Sequence, residues 1–376
     1  MFRGQNSVTE TALSYVGTVV GAGFASGQEI AQFFGRSEPK SLWGILLATL
    51  LFALCGELIL NLSARGRATH YGEFLREVCG RSLGKFYDTG SFVFFSGVLL
   101  VMMSGSGALW REIFGFTYLL GVLALTGPVL ISLTFGTRGV AKLNLIVVPF
   151  LILFIVALCT LALGGWQGLR SEFDTGLRAS EAIGFSGRWW FQAFIFVGNN
   201  LLLSSAVLFS LARGKDRAAV RGSGILGGFL LGLLALPVYL VTASGRYPLG
   251  EVPLYAAASS LGWGGEWIYS SALWLALLTT SVGAAQGLVG RLQASGGRGW
   301  VWLALTIALL SLAATRGFPT LVRQVYGSFG VLSLPFLAML VLKGFRVKSG
   351  GKIGGTLWRG NTREPLAGGL EVTVRE

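Results

Sequence analysis

The first strongly apolar stretch of the chain, residues 13–34, is interrupted at its middle by Gly21-Ala22-Gly23-Phe24-Ala25-Ser26-Gly27. Glycine loses more conformational freedom on ordering than any other residue, so this run is poor material for a continuous helix. A span that breaks inside a bilayer frees backbone amides and carbonyls that lipid cannot satisfy. Such a break is tolerated only where it is buried in protein or lines a cavity. The interruption therefore fixes the kind of fold and marks a candidate binding site together.

That the solvent is a bilayer follows from composition. Hydrophobic residues make up 53% of the 376, charged residues only 12%, and the mean hydropathy is +0.66. A hydrocarbon core of roughly 30 Å needs about 20 apolar residues per crossing. Ten candidate spans lie near 8–34, 41–64, 86–110, 116–135, 141–165, 188–212, 219–244, 266–290, 300–315 and 324–343. The net charge of +13 does not point to nucleic acid, because the basic residues are scattered through the loops and are not gathered on one soluble unit. With the N-terminus in the cytoplasm, most of the 30 Lys and Arg fall on inner loops and on the C-terminal tail. This is the bias of a multi-pass protein of the bacterial inner membrane with both termini cytoplasmic. Cys55, Cys79 and Cys159 have no metal-ligand spacing and read as small hydrophobes, and the lone His70 forms no cluster. The residues after Met1 are too polar for a signal peptide, so the first span is expected in the mature protein.

Dividing the spans five and five gives halves that run in opposite directions through the bilayer, the plan of an inverted repeat. The expected fold is an all-α integral membrane domain over residues 1–343. Its first repeat covers about 8–165 and its second about 188–343, with a disordered cytoplasmic tail at 344–376. The sixth span carries Gly198-Asn199-Asn200 near its centre, so each half is expected to open with a span broken at mid-membrane, and paired breaks point to a transporter binding site. Between spans two and three, Tyr71, Phe74, Leu75 and Val78 recur at helical spacing with Arg76 and Glu77 among them. An amphipathic helix at the inner surface is expected there. Between spans seven and eight, Leu254 to Leu261 suits a helix that covers the outer vestibule.

The chemistry-bearing residues follow from the breaks. The amides of Gly21, Ala22, Gly23, Phe24, Ala25 and Ser26, with the positive end of a half-helix beginning near Ala25, suit a carboxylate. Gly17 and Val20 close the inner half, and their free carbonyls suit a cation; Gly17 and Gly21 also have the spacing of a close helix crossing. Phe196, Gly198, Asn199 and Asn200 face the same gap from span six, and Ser104 is a candidate wall in span three. Phe24, Asn199 and Asn200 together hint at a small polar ligand with an apolar part. An intramembrane carboxylate is expensive and usually functional. Glu57 is the clearest, while Glu29 falls at the expected outer vestibule, where it either attracts an ammonium group or is simply solvated. No nucleophile and base pair, metal cluster or phosphate loop accompanies these residues, so the chain is not expected to be an enzyme.

The stretch Gly17-Thr18-Val19-Val20-Gly21-Ala22-Gly23-Phe24-Ala25-Ser26-Gly27-Gln28-Glu29-Ile30, followed by Gln32-Phe33-Phe34, resembles the opening of the YkvI-type bacterial membrane proteins. These are a branch of the amino acid–polyamine–organocation transporters, which have the LeuT fold. The Gly21-Ala22-Gly23 core is similar to the Gly-x-Gly that amino-acid permeases place against a substrate carboxylate. In span eight, Ala276 to Gln286 resembles the segment of sodium-coupled LeuT-fold transporters in which one carbonyl and two hydroxyls face an ion. The resemblance assigns the carbonyl role to Ala276 and the hydroxyl roles to Thr279 and Thr280, with carbonyls of Gly17 and Val20 from span one. Bonding of both threonines back to their own helix is the alternative. The resemblance also gives Glu57 the task of bracing an unwound span six. Two departures matter: Phe24 stands where amino-acid members use an Asn for a second sodium, and no lysine lies near Leu151, where some proton-coupled relatives carry one.

The function these readings imply is sodium-coupled symport of an amino acid or similar small zwitterion by alternating access, with one sodium site and the lipid bilayer as surroundings. A proton-coupled carrier using Glu57 or Glu29 is the alternative within the class, and a channel or structural membrane subunit is the alternative outside it.

Overall fold

A computed structural model describes residues 2–35, 41–135, 138–181, 188–213, 215–248, 250–262, 264–292, 306–307 and 309–348. Among the described residues every regular element is helical. Span one comes in three pieces, α1 (Phe2–Val19), α2 (Ala22–Ala25) and α3 (Gln28–Phe34). Then follow α4 (Ser41–Arg65), α5 (Tyr71–Phe114), α6 (Tyr118–Phe135), α7 (Arg138–Ala162) and α8 (Gly165–Glu181). The second half supplies α9 (Trp189–Ala212), α10 (Arg217–Ser244), α11 (Pro253–Ser260), α12 (Gly265–Leu292) and α13 (Gly327–Lys348).

The burial pattern is that of a bundle in lipid. Along α4, Leu42, Ile45, Phe52, Cys55 and Ile59 are buried, while Trp43, Leu46, Leu50 and Leu54 stand exposed at spacings of three and four residues. In water that stripe would cost about 25 cal/mol per Å²; against acyl chains it costs nothing. Among the described residues six helices are long and apolar enough to cross a membrane, or seven if α7 and α8 form one bent span. Span one is not among them, because its break leaves pieces of 18, 4 and 7 residues and the longest carries Arg3, Gln5, Asn6 and Glu10. Residues 293–305 and 308 lie outside the described residues, and with them much of the expected ninth span. The final helix reaches Lys348, beyond the expected end at 343, and in this last part Gly344 seats against Leu58 of α4. The tail from 349 onwards lies outside the described residues.

α4 and α10 form the tightest crossing. Gly224, Gly228 and Gly232 repeat every four residues on α10, and a β-carbon at each would strike Glu57, Ala53 and Thr49 of α4. Without a hydrophobic drive between helices in lipid, small residues that let backbones touch supply the packing. The expected amphipathic segment is the first part of α5, set off by a bend at Gly80 (φ 81°). Its apolar face does not rest on lipid: Phe74, Leu75 and Val78 are buried, Phe74 packs on Phe209 of α9 at 5.3 Å, and the Tyr71 hydroxyl meets Ser205 Oγ at 2.6 Å. α8 is bent 81° from α7, across Gly164 and Gly165 in left-handed conformation, and was not foreseen.

The loops sort into two ends. At one, Arg213 donates to Thr69 O and Lys215 to Thr11 Oγ1. At the other, Arg246 bonds Leu163 O and Glu172, and Arg111 pairs with Glu251 at 2.7 Å. The Tyr71–Gly80 piece sits before span three at the first end, and α11 sits before span eight at the second, as opposed halves require.

The break expected in span six is absent. α9 runs as one helix from Trp189 to Ala212, with Gly198, Asn199 and Asn200 inside it. Gly198 is there for space, since a β-carbon would collide with Ser333 Oγ of α13. Asn200 folds one amide hydrogen back to Phe196 O at 2.9 Å, four residues earlier, and so remains compatible with the helix.

Candidate functional site: the seam of span one

The backbone at the break is satisfied locally and by neighbours. The Gly21 amide turns back to Val19 O at 2.9 Å, a two-residue step that diverts the helical donor from the Gly17 carbonyl. The Ala25 amide reaches Gly21 O at 2.9 Å, and the Gly27 amide reaches Phe24 O at 3.1 Å. Ser26 Oγ accepts from Gln28 N–H and donates to Gly23 O, both at 3.2 Å. Two outside donors complete the seam: the Tyr269 hydroxyl of α12 bonds Ala25 O at 3.2 Å, and the Leu254 amide of α11 bonds Ser26 O at 3.1 Å. Gly27, at φ 79°, supplies the left-handed step that redirects the chain.

This changes the expected carboxylate seat. The second half-helix starts at Gln28 and not near Ala25, and the amides of Gly21, Ala25, Gly27 and Gln28 already have acceptors in the protein. The gap beside Gly23 holds a carboxyl of the protein itself. A β-carbon at Gly23 would stand 3.2 Å from Glu29 Oε2 and 3.0 Å from Cε2 of Tyr326. Glu29 is 2% exposed, and its Oε1 accepts from Asn200 Nδ2 at 2.6 Å. Asn199 lies alongside the same carboxyl, fully buried, yet neither amide atom completes a hydrogen bond of good geometry. Tyr326 arrives through a π-helical turn, Val322–Tyr326, between Phe318–Leu321 and α13. Such turns re-aim side chains and concentrate at functional sites.

Sequence reasoning placed Asn199 and Asn200 here but left Glu29 in a vestibule. The signal was present: Glu29 is the one charged residue in 13–34, and an isolated charge inside a span is functional by default.

The space expected between Gly21–Ser26 and Phe196–Asn200 is filled. Phe196 is enclosed by the rings of Phe24, Phe33, Phe34 and Phe52 at centroid distances of 6.0, 5.7, 5.2 and 5.6 Å. The open space lies towards α11, in a cleft of about 460 Å³ lined by Gln28, Ala31, Gln32, Gly250, Glu251 and Pro319. The Ser104 hydroxyl meets Tyr118 of α6 at 2.9 Å. Met102 approaches the break, its methyl 3.6 Å from where a Gly21 β-carbon would sit.

At the candidate cation site, Thr280 faces the break, with Oγ1 3.6 Å from the same Gly21 position. Thr279 Oγ1 donates to Ala276 O at 3.1 Å, the back-bonded arrangement, which leaves its lone pairs unused. Val20 is buried and still bonded to Val16 O at 2.8 Å. Gly17 seats against Val148 of α7, so its missing side chain serves a helix crossing. Glu57 accepts from Asn61 Nδ2 at 3.1 Å and borders Gly224 of α10; with span six continuous, there is no unwound segment for it to brace.

Comparison with known proteins accords with this architecture. No family model matches the chain. It is 28% identical over 349 residues to the membrane protein YkvI of Bacillus subtilis, covering 91% of this chain and 98% of that one. It is 26% identical over 325 residues to the branched-chain amino acid permease BrnQ of Corynebacterium glutamicum, covering 81% and 71%. The chain is homologous to YkvI and fits the LeuT fold. A manganese transporter of Eremococcus coleocola superposes with a TM-score of 0.53 at 18% identity, over 90% of this chain and 77% of that one. Mhp1 in its inward-facing conformation gives 0.50 at 12% identity, over 91% and 77%. Homology to a permease, on this fold, points to a secondary transporter, and so to transport without chemistry.

Proposed function

We propose that the chain is a sodium-coupled symporter of an amino acid or similar small zwitterion, working by alternating access in a bacterial inner membrane with both termini cytoplasmic. The observation that carries this reading is the backbone break at Val20–Gly21 standing directly against Thr280 of α12. A cation held by the carbonyls of Gly17, Val20 and Ala276 and the hydroxyls of Thr279 and Thr280 would tie span one to span eight. It would favour whichever conformation brings them together, and coupling consists of that differential affinity. The amino-acid part of the reading is supported by the permease relative, whose name gives branched-chain amino acids as its substrates.

The test is reconstitution into liposomes with leucine as the probe. Uptake is expected to require an inward sodium gradient, and sodium, unlike potassium, is expected to raise the melting temperature of the purified protein. Replacing Thr279 and Thr280 together by Ala should abolish that rise and leave a folded protein. An unchanged rise in the double variant removes the cation site, and uptake driven by a pH gradient without sodium transfers coupling to protons.

A further inference from the structure

Glu29 sits in the protein core with less electrostatic compensation than a buried carboxylate requires. Its Oε1 receives the Asn200 amide and the Asn199 amide lies alongside, both neutral, while Oε2 lies beside Gly23, which has no side chain to answer it. Among the described residues no Lys, Arg or His pairs with it. Next to it, the Asn199 amide is buried with both of its polar atoms unpartnered. Either orientation of that amide leaves an acceptor in the core, and unpaired buried acceptors are costly. A buried carboxyl with an unsatisfied amide beside it, whose oxygen can turn towards the same space, suits a group that brings positive charge and several N–H donors. A substrate carboxylate in the same place would meet the Glu29 charge at contact distance.

Building on the transport reading above, we propose that the gap beside Gly23 is an ammonium seat: Glu29 Oε2 and the Asn199 amide oxygen hold the primary ammonium of the transported solute, with Tyr326 closing one side. The polarity is the reverse of that implied by a Gly-x-Gly facing a substrate carboxylate. An ammonium group is then the required part of the solute, and the carboxylate is dispensable. The seat is shut in this structure by Tyr326 and the Phe196 rings, and access requires α3 to part from the π-helical turn.

The experiment uses the full chain, purified, and three probes: leucine, isopentylamine, which is leucine without its carboxylate, and isocaproate, which is leucine without its amine. Leucine and isopentylamine are expected to stabilise the protein against heat and to compete with each other, while isocaproate does neither. Glu29→Gln should weaken both amines roughly thirtyfold or more, the scale of losing one partner of a buried charged pair, and Glu29→Asp should retain part of the affinity. Stabilisation by isocaproate equal to that by isopentylamine, no effect of either amine, or full amine affinity in Glu29→Gln each overturns the proposal. The probe comparison is made on the unaltered chain, so it stands even where a variant fails to fold. Leucine uptake with undiminished affinity in Glu29→Gln would sink the seat and leave the transport reading. Amine binding lost in that variant, with no uptake of any amino acid by the unaltered chain, would sink the transport reading and leave the seat.

Discussion

Phe196 shows how much one side chain fixes at the centre of the bundle. It is fully buried, and the four rings around it come from α2, α3 and α4, so a single residue of span six joins the two pieces of span one that follow its break to span two. Each ring pair adds a modest increment of its own. The larger part is dispersion across many close atoms, which a void forfeits outright. Phe196→Ala is expected to cost about 3–5 kcal/mol of stability, and Phe196→Leu markedly less, because Leu keeps most of the volume. Thermal or denaturant unfolding in detergent measures both; a loss under about 1 kcal/mol for Ala would show that the rings collapse freely into the space.

Whole helices show why part of this structure was legible in the sequence and part was not. A glycine carries two messages, freedom of φ and absence of a β-carbon, and the letter does not say which one the fold uses. Gly27 and Gly80 use the first, at φ 79° and 81°, and both mark real changes of direction, the former inside the interruption that the sequence disclosed. Gly198 uses the second, against Ser333, so the break read into span six became an intact helix. The positions of Asn199 and Asn200 were legible for the same reason that the break was not: polar amides in an apolar run must find something buried to answer. Their partner, Glu29, depends on where α3 points after Gly27, which only the tertiary arrangement sets. The two messages also predict opposite signs for one substitution. Gly228→Ala puts a β-carbon onto the Ala53 backbone and should destabilise by roughly 1–3 kcal/mol. Gly283→Ala, in the interior of α12 with open space around it, should stabilise by roughly 0.5–1 kcal/mol. Melting curves of the two variants test the pair: a stabilising Gly228→Ala would mean that the α4–α10 contact yields, and a destabilising Gly283→Ala that the space around it is not open.

For the molecule as a whole, the end that carries α11 behaves as one connected cover. The Leu254 amide ties it to the seam of span one, Tyr247 bonds Ala162 O at 2.7 Å, Arg246 bonds Leu163 O and Glu172, and Arg111 of α5 holds Glu251. Opening the cleft beneath therefore disturbs the Ser26 carbonyl directly, which links the cover to the site. Glu251 is the titratable part of this latch. Burial pushes its pKa above the usual carboxylate value, Arg111 pulls it down, and Glu112 pushes it up, with burial the largest. The fold thus favours the protonated form: the contribution of Glu251 is fully present below the ordinary carboxylate pKa and is lost as pH rises through the raised one. Arg111→Ala removes the cation beside Glu251, whose Oε2 already has no partner, so that holding the carboxylate form costs more. Glu251→Gln removes that charge and forfeits only a partly exposed ion pair, about 0–1 kcal/mol. At neutral pH the Arg111→Ala protein should therefore melt lower than the Glu251→Gln protein, and the gap should close as the pH is lowered and Glu251 takes up its proton. Melting temperatures followed from about pH 8 down to about pH 4, below the ordinary Glu pKa of about 4.3, check this. A gap that stays constant with pH would show that Arg111 holds the cover by packing and not by charge.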